Sequence, residues 1–289
     1  MKKQNDFKIF FHAGIMDHLE DLISLSLQED GKDLTSMAVF SPEDKCLAVI
    51  KAKQKTLVAG LPLVQIILNK IAGEGRPEFM VQEGDLVDPN TPVVSIRGGT
   101  CKIIQAERII LNFMARLSGI ANLTRAYIQK IQDTDVKLLD TRKTTPGHRY
   151  LEKYAVRLGG GMNHRMDLEE MLMLKDNHID QAGSIEKAVQ ILRNTYQPCP
   201  PVEVECRSVD DVHEAVRAGS DRIMLDNMGM DEIGYSLKIT RQAGVESEIS
   251  GGVNLDNIRD LALLGPTYIS VGALTHSAVA ADFSMSMKT

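Results

Sequence analysis

Cationic side chains are concentrated in one short segment of this sequence, residues 138–180, although the whole chain carries a formal net charge of −6. Arginine binds carboxylate and phosphate groups through two parallel hydrogen bonds, and lysine binds them as a point charge. We therefore expect the segment to bind a substrate with several negative charges. Its cations are Arg142, Lys143, Arg149, Lys153, Arg157, Arg165 and Lys175.

Some of these cations have a simpler interpretation. Lys153 and Arg157 are four residues apart, which is the spacing of neighbours on one solvent-exposed helix face. His148 and Arg149 are expected near the start of the same helix, at the surface. The remaining cations are the candidates for a binding site.

The first part of the chain has the mixed pattern of an α+β unit. A long helical stretch follows, and we expect it to break near Ser118 and Gly119, because glycine and serine disfavour a helix interior. The predicted elements are a strand over 46–53, a helix over 61–73, two short strands within 83–98 and the long helical stretch over 103–132.

After about residue 134 the pattern changes to short apolar runs, and helical segments separate the later ones. Alternation of strand and helix predicts a parallel sheet with right-handed crossovers. The arrangement is a complete or incomplete α/β barrel, and an open doubly wound sheet is the alternative. The predicted strands are 136–139, 171–174, 202–206, 222–225, 246–250 and 268–271.

Polar residues follow nearly every one of these strands. Because ligands bind at the carboxyl ends of parallel strands, we expect these side chains to share one mouth. Cations on the early strands suit a polycarboxylate, carboxylates on the middle strands suit Mg²⁺ or ribose hydroxyls, and glycines on the last strands suit a phosphate. Together they indicate a phosphorylated ribose donor and an anionic acceptor. The residues are Asp140, Arg142, Lys143, Lys175, Glu203, Glu205, Asp226, Asn227, Ser250, Gly251, Gly252 and Gly272.

The composition narrows the class of protein. No apolar run is long enough to span a membrane, and the N-terminal residues lack the features of a secretory signal. The four cysteines have no CxxC spacing, so we expect free thiols in a reducing cytoplasm rather than a zinc site. The acidic balance of the chain argues against nucleic acid as a partner.

An ordered set of motifs runs along the chain: AERIILNFMARLSGIA, DTRKTTPG, GGGMNHR, MLKDNHI, VEVEC, the DN after IML, SGGV and YISVGALTHS. No single motif is decisive, but their order is specific. Together they resemble the quinolinate phosphoribosyltransferase family, over about residues 20–280.

The resemblance implies a fold and a reaction. The expected fold is an N-terminal α/β sandwich domain over 1–118, joined by the C-terminal tail over about 275–289, and an incomplete α/β barrel domain over 119–274. The implied reaction transfers phosphoribosyl from phosphoribosyl pyrophosphate to quinolinate, with decarboxylation to nicotinate mononucleotide. The reaction would require Mg²⁺ but no organic cofactor. The resemblance also implies a cytoplasmic homodimer or hexamer with a shared active site.

The resemblance also assigns roles to residues. Quinolinate would be bound by Arg108 of a neighbouring subunit and by Arg142, His164, Arg165 and Lys175. Phosphoribosyl pyrophosphate would be bound by Lys143, Glu205, Asp226, Ser250, Gly251, Gly252 and Gly272. The implied catalytic residues are Lys143, Lys175, Glu205 and Asp226, and the last two would hold Mg²⁺, directly or through water.

Three alternatives stay open from the sequence. One is a paralogous phosphoribosyltransferase, like the molybdenum-transport-associated proteins, with another acceptor. Another is a Schiff-base aldolase that uses Lys175 or Lys143. The last is a binding protein for a phosphosugar, which the presence of groups for two reactants disfavours.

Overall fold

The computed structural model describes residues 7–71 and 75–288. The start of the predicted N-terminal domain, the end of the helix predicted over 61–73 and the last residue of the predicted tail lie outside the described residues. The chain forms two compact units. The first consists of described residues within Met1–Thr124, Thr144–Gly160 and Ser277–Thr289, and the second of Arg125–Lys143 and Gly161–His276.

The strands of the first unit are β1 (Lys45–Ala52), β2 (Thr56–Leu57), β3 (Arg76–Phe79), β4 (Leu86–Val87), β5 (Pro92–Gly99) and β12 (Phe283–Lys288). Alternate residues of β1 are buried, including Ala48, Ile50 and Ala52, as expected for a strand with one face on the core. The unit is built on an antiparallel sheet with strand order β12-β1-β5-β3. Its helices are α1 (Ala13–Asp30), α2 (Leu34–Val39), α3 (Leu61–Lys70), α4 (Thr100–Ile131, as far as Thr124) and α5 (Arg149–Leu158).

Helix α4 is continuous, so the predicted break near Ser118 and Gly119 is wrong. Glycine at position 119 has a packing role instead. A Cβ atom there would lie 2.1 Å from the carbonyl oxygen of Val279 and 3.0 Å from Cα of Ala280. The residue therefore lets the C-terminal segment pass directly against the helix.

The prediction of a solvent-exposed face on α5 is also wrong in part. Arg157 is exposed, but Lys153 is completely buried, as is the neighbouring Glu152. His148 and Arg149 are half-buried rather than exposed. The 144–160 segment belongs to the first unit, and its packing there overrides the charge pattern that suggested a solvated helix.

The strands of the second unit are β6 (Lys137–Leu139), β7 (Leu172–Leu174), β8 (Val202–Cys206), β9 (Arg222–Asp226), β10 (Glu246–Ser250) and β11 (Tyr268–Ser270). They form a parallel sheet with strand order β6-β11-β10-β9-β8-β7, which confirms the predicted α/β class. The edge strands β6 and β7 are the first two strands of this unit and do not pair with each other, so the sheet corresponds to an incomplete barrel. Its complete helices are α6 (Asp176–Ala182), α7 (Ile185–Thr195), α8 (Val209–Arg217), α9 (Met230–Ala243), α10 (Ile258–Leu263) and α11 (Ala273–His276).

Helices α7 and α8 begin where serine side chains cap them. Ser184 accepts a hydrogen bond from the backbone N–H of Lys187, and Ser208 accepts one from that of Asp211. Such caps satisfy backbone donors that have no partner within the helix. Among the described residues, none of the helices combines the length and the apolar character that crossing a bilayer requires. All four cysteines are free thiols.

Candidate active site

A cavity of about 520 Å³ opens at the carboxyl ends of the strands of the second unit. Every strand of the parallel sheet contributes to it, either from its last residues or from the loop that follows. This is the edge where open and closed α/β folds bind their ligands. The lining residues are Thr141, Arg142, Lys143, His164, Arg165, Met173, Lys175, Glu205, Met224, Asp226, Asn227, Glu248, Ser250, Gly251, Gly252 and Ser270.

Most of the predicted site residues therefore meet in one cavity, but four of them are not among its lining residues: Arg108, Gly272, Asp140 and Glu203. The last two are completely buried. Arg108 is exposed on α4, in the part of the helix that belongs to the first unit. Gly272 lies beside the cavity, since a Cβ atom there would come within 3.0 Å of Cδ of Lys143. Its lack of a side chain leaves room for that lysine.

Two guanidinium groups form the cationic side of the cavity. Arg165 donates a hydrogen bond from Nη1 to the carbonyl oxygen of Met171 at 2.8 Å. Burial and then the nearby charge of Arg142 lower the pKa of Arg165. The buried Nε of Arg142 has no acceptor within the described part of the chain. Two neighbouring cations with spare hydrogen-bond donors favour an anionic ligand.

A buried aspartate fixes the loop that carries these groups. Asp140 is fully buried, and its Oδ1 accepts a hydrogen bond from the backbone N–H of His164 at 2.9 Å. Its Oδ2 accepts one from the side-chain amide of Asn163 at 2.6 Å. The backbone N–H of Arg165 in turn donates to Nδ1 of His164 at 2.7 Å. The imidazole and the following arginine are thus held at the cavity wall.

Two carboxylates form the acidic side. Glu205 near the end of β8 forms an ion pair with Lys175, and Asp226 at the end of β9 accepts a hydrogen bond from Nδ2 of Asn227 at 2.7 Å. Strands β8 and β9 are neighbours, with Glu205 opposite Met224. The two carboxylates are consequently close along the same edge of the sheet.

A glycine turn follows β10. Gly251 has a φ of +90° and Gly252 a φ of +60°, which is the left-handed region that favours glycine. A Cβ atom on Gly251 would lie 2.2 Å from Oδ1 of Asn227, whereas one on Gly252 would meet nothing within 4 Å. The turn therefore packs its backbone tightly against the neighbouring strand end.

A threonine anchors the backbone of Lys143. The hydroxyl of Thr275 donates a hydrogen bond to the carbonyl oxygen of Lys143 at 2.8 Å. The side chain is exposed and extends past Gly272. This arrangement fixes where the lysine begins and leaves its ammonium group free to reach a ligand.

The sequence prediction missed five lining residues, which are Thr141, Met173, Met224, Glu248 and Ser270. Glu248 and Ser270 are buried and lie two residues before a predicted site residue, Ser250 and Gly272 respectively. Because side chains of a strand alternate between its faces, the period of two was the signal that could have found them. Burial, with the charge of Glu203, raises the pKa of Glu248 to about 8. Burial also raises the pKa of Glu203, to about 7.

Comparison with known proteins identifies the family. Residues 120–286 match the C-terminal domain of quinolinate phosphoribosyl transferase, and residues 33–118 match its N-terminal domain. The chain belongs to the quinolinate phosphoribosyl transferase family. The family resemblance inferred from the sequence motifs is therefore confirmed.

Relatives support this membership over most of their length. A probable nicotinate-nucleotide pyrophosphorylase [carboxylating] of Bacillus subtilis is 38% identical over 253 residues, covering 88% of this chain and 87% of the relative. Its counterpart of the same name in Synechocystis is 42% identical over 236 residues, covering 81% of this chain and 80% of the relative. The crystal structure of NadC from Streptococcus pyogenes is 37% identical, with a TM-score of 0.89 over 93% of this chain and 96% of that one.

Proposed function

We propose that this protein transfers the phosphoribosyl group of phosphoribosyl pyrophosphate to quinolinate and releases pyrophosphate and CO₂, giving nicotinate mononucleotide. The observation that carries the proposal is the cavity of the second unit, which two guanidinium groups, two carboxylates and a glycine turn line together. A reaction between a dianionic pyridine and a phosphorylated sugar needs these three kinds of group. The names of the relatives point to the same reaction.

Quinolinate fits the cationic side. Burial and the nearby charge of Arg142 lower the pKa of Arg165, and a dicarboxylate between the two guanidinium groups would relieve their repulsion. His164 and Lys175 line the same cavity and would bind the remaining carboxylate oxygens. We assign Arg108 of a neighbouring subunit to the same substrate, which requires an assembly with a shared site.

Phosphoribosyl pyrophosphate fits the opposite side. Gly251 and Gly252, with Ser250 and Gly272, would hold the 5-phosphate through backbone N–H groups and a hydroxyl, as glycine turns commonly do. Lys143 would bind the pyrophosphate. The glycine turn packs tightly beside Asn227, and a side chain at position 251 would collide with that asparagine, which supports this assignment.

Mg²⁺ fits the carboxylates of Glu205 and Asp226. Oxygen donors at the ends of adjacent strands match the hard ligands that Mg²⁺ prefers, either directly or through water. When bound, the ion would neutralise charge on the departing pyrophosphate. Glu205 also forms an ion pair with Lys175, and both side chains line the cavity.

The reaction then proceeds without a covalent enzyme intermediate. The ring nitrogen attacks C1 of the ribose as the C1–oxygen bond to pyrophosphate breaks, and the sugar becomes cationic in the transition state. Lys143 stabilises the leaving oxygens, and a carboxylate of Glu205 or Asp226 stabilises the sugar. The ribosylated ring is positive, so it accepts the electron pair left when the 2-carboxylate departs as CO₂. The pyridinium serves as the electron sink, and the chemistry requires no organic cofactor.

Lys175 is our candidate for the group that steadies or protonates the resulting carbanion. If it does so, Lys175→Ala should ribosylate quinolinate faster than it releases CO₂. Parallel loss of ribosylation and CO₂ release would instead make Lys175 a binding group only. Rapid-quench measurement of both products in one reaction separates these outcomes.

The assembly and compartment are part of the proposal. We infer a homodimer or hexamer in the cytoplasm, a compartment that suits four free cysteines. We also retain 1–118 with 275–289, and 119–274, as the functional domains. Mixing Arg108→Ala subunits with Asp226→Ala subunits tests the shared site, because mixed dimers would contain one intact site. If each variant is inactive alone and mixtures shown to exchange subunits recover no activity, Arg108 does not act in the neighbouring subunit's site.

The decisive assay combines purified protein with quinolinate, phosphoribosyl pyrophosphate and Mg²⁺ and follows nicotinate mononucleotide and CO₂. Equimolar products from quinolinate, with none from nicotinate, are expected. Turnover of another acceptor would favour the paralogous transferase. Borohydride trapping of an aldehyde substrate on Lys175 or Lys143 would favour an aldolase. Binding of phosphoribosyl pyrophosphate without turnover of any acceptor would favour a binding protein.

A further inference from the structure

A charged layer lies beneath the cavity, where a barrel is usually filled by branched apolar side chains. Glu203 and Glu248 are fully buried, and His164 is nearly so. Arg222 approaches from β9, with its Nη1 3.5 Å from Oε2 of Glu248. Glu203 itself does not line the cavity. Its burial needs an explanation other than direct contact with a substrate, because burying a carboxylate is costly.

The geometry of this layer first suggests a metal site. Nε2 of His164 lies 3.1 Å from Oε2 of Glu203 and 3.6 Å from Oε2 of Glu248. One donor atom from each of the three residues lies within 4.8 Å of the others. Bonds of about 2.0–2.1 Å in a tetrahedral zinc site place its ligands roughly 3.3 Å apart. The distances alone are therefore compatible with a metal.

The other nitrogen of the imidazole argues against a metal. Nδ1 of His164 accepts a hydrogen bond from the backbone N–H of Arg165 at 2.7 Å. A backbone N–H can only donate, so Nδ1 carries no proton, and the neutral ring carries its proton on Nε2. That nitrogen lies within ion-pair distance of both carboxylates and, because it carries the proton, has no lone pair for a cation. The guanidinium of Arg222 already supplies positive charge near the same two carboxylates.

We propose that Glu203 is a positioning residue that, together with Glu248, holds the Nε2 edge of His164. The fixed ring then presents Nδ1 to the backbone of Arg165 and thereby orients a guanidinium assigned to quinolinate. Glu203 would thus set the affinity for quinolinate from below the cavity, without contacting the substrate. This inference rests on the proposed function, because it concerns the affinity for that acceptor.

The test compares Glu203→Met, which removes the acceptor at similar volume, with Glu203→Gln, which keeps an acceptor oxygen. Losing the acceptor should raise KM for quinolinate by about tenfold or more, since the ring and Arg165 lose their fixed orientation. KM for phosphoribosyl pyrophosphate should change less than about twofold, because the other wall of the cavity binds it. Glu203→Gln should recover most of the affinity for quinolinate.

Glu246→Gln is the matched control. Glu246 lies two residues from Glu248 on the same strand, is exposed, and pairs with the same Arg222 at 3.1 Å. It should leave both KM values unchanged. Equal effects of Glu203→Met on both substrates, or an effect of Glu246→Gln as large, would overturn the proposal and indicate a general structural role.

Two measurements need no substrate, and so they separate this inference from the proposed function. Nitrogen-15 NMR of the histidines should show His164 protonated at Nε2 in the wild type and perturbed in Glu203→Met. A proton on Nδ1 in the wild type would overturn the proposal. Equilibrium dialysis against ZnCl₂ should show no zinc that depends on His164. One zinc per chain that is lost in His164→Gln would establish a metal site instead. Absence of turnover in the wild type would reject only the proposed function.

Discussion

Replacing Gly119 by alanine should destabilise the protein, although alanine is the better helix former. Helix propensity alone predicts a gain of about 1 kcal/mol for Gly→Ala in a helix interior. At position 119, however, the new Cβ would lie 2.1 Å from the carbonyl oxygen of Val279. The C-terminal segment must therefore move away by more than an ångström.

That movement would break two hydrogen bonds that tie the segment to α4. The backbone N–H of Ala281 donates to the carbonyl of Ala115 at 2.9 Å, and Nη1 of Arg116 donates to the carbonyl of Ala278 at 3.0 Å. Losing them costs about 1 kcal/mol for the neutral bond and about 1.5–3 kcal/mol for the charged one. After the gain in helix propensity, the net loss in the free energy of unfolding is about 1.5–3 kcal/mol.

Gly234→Ala supplies the matched control. Gly234 lies inside α9, and a Cβ atom there would meet nothing within 4 Å. This substitution should raise the free energy of unfolding by about 0.5–1 kcal/mol. Urea denaturation of both variants should thus give shifts of opposite sign. Hydrogen exchange at the amide of Ala281 should accelerate only in Gly119→Ala.

The same pair of variants can refute the reasoning. If Gly119→Ala were as stable as Gly234→Ala, with unchanged exchange at Ala281, the contact with the C-terminal segment would not be what selects glycine.

Three further predictions concern the cavity and its supports. Gly251→Ala should reduce kcat/KM for phosphoribosyl pyrophosphate about 100-fold, because its Cβ atom would displace Asn227. Gly252→Ala should reduce the same kcat/KM only about tenfold, from backbone strain alone. Steady-state kinetics that rank the two variants in the opposite order would contradict the packing explanation. Glu152→Ala should lower the free energy of unfolding by about 3–5 kcal/mol, because the buried carboxylate accepts hydrogen bonds from an arginine and a threonine. A urea midpoint near that of the wild type would show that these hydrogen bonds contribute little to stability. Burial raises the pKa of Glu248 to about 8 and that of Glu203 to about 7, so the folded protein binds more protons than the unfolded chain between about pH 5 and 8. Wild-type stability should therefore fall as the pH rises through this range, by about 1.4 kcal/mol per pH unit for each of these protons. Glu248→Gln should make that slope shallower in urea titrations, and an unchanged slope would assign it to another group.

The sequence was sufficient to predict the parallel sheet and most of the cavity lining. The reason is geometric, since the carboxyl ends of parallel strands share one edge and polar residues after each strand must converge there. Arg142, Glu205 and Gly251 could be placed from their positions in the sequence alone. Interior positions were less predictable, and Glu248 was missed because it lies within a strand rather than after it.

Errors arose where distant contacts override local pattern. Gly119 resembled a helix breaker, but a segment 160 residues later in the chain explains it. Lys153 resembled a solvated cation, but the packing of its helix in the first unit buries it. Neither contact has a signature within a window of neighbouring residues. The role of Arg108 depends on a second subunit and stays a prediction.

The pairing of β12 with β1 has a consequence for biosynthesis. During translation β1 can pair with β5 on one side, but its other edge stays open until Phe283–Lys288 has been made. An unpaired strand edge is a template for association with other chains. The nascent N-terminal part is therefore exposed to misassembly on the ribosome for most of the synthesis time. A chain truncated before the last strand would keep that edge permanently open, and should require chaperones or precipitate.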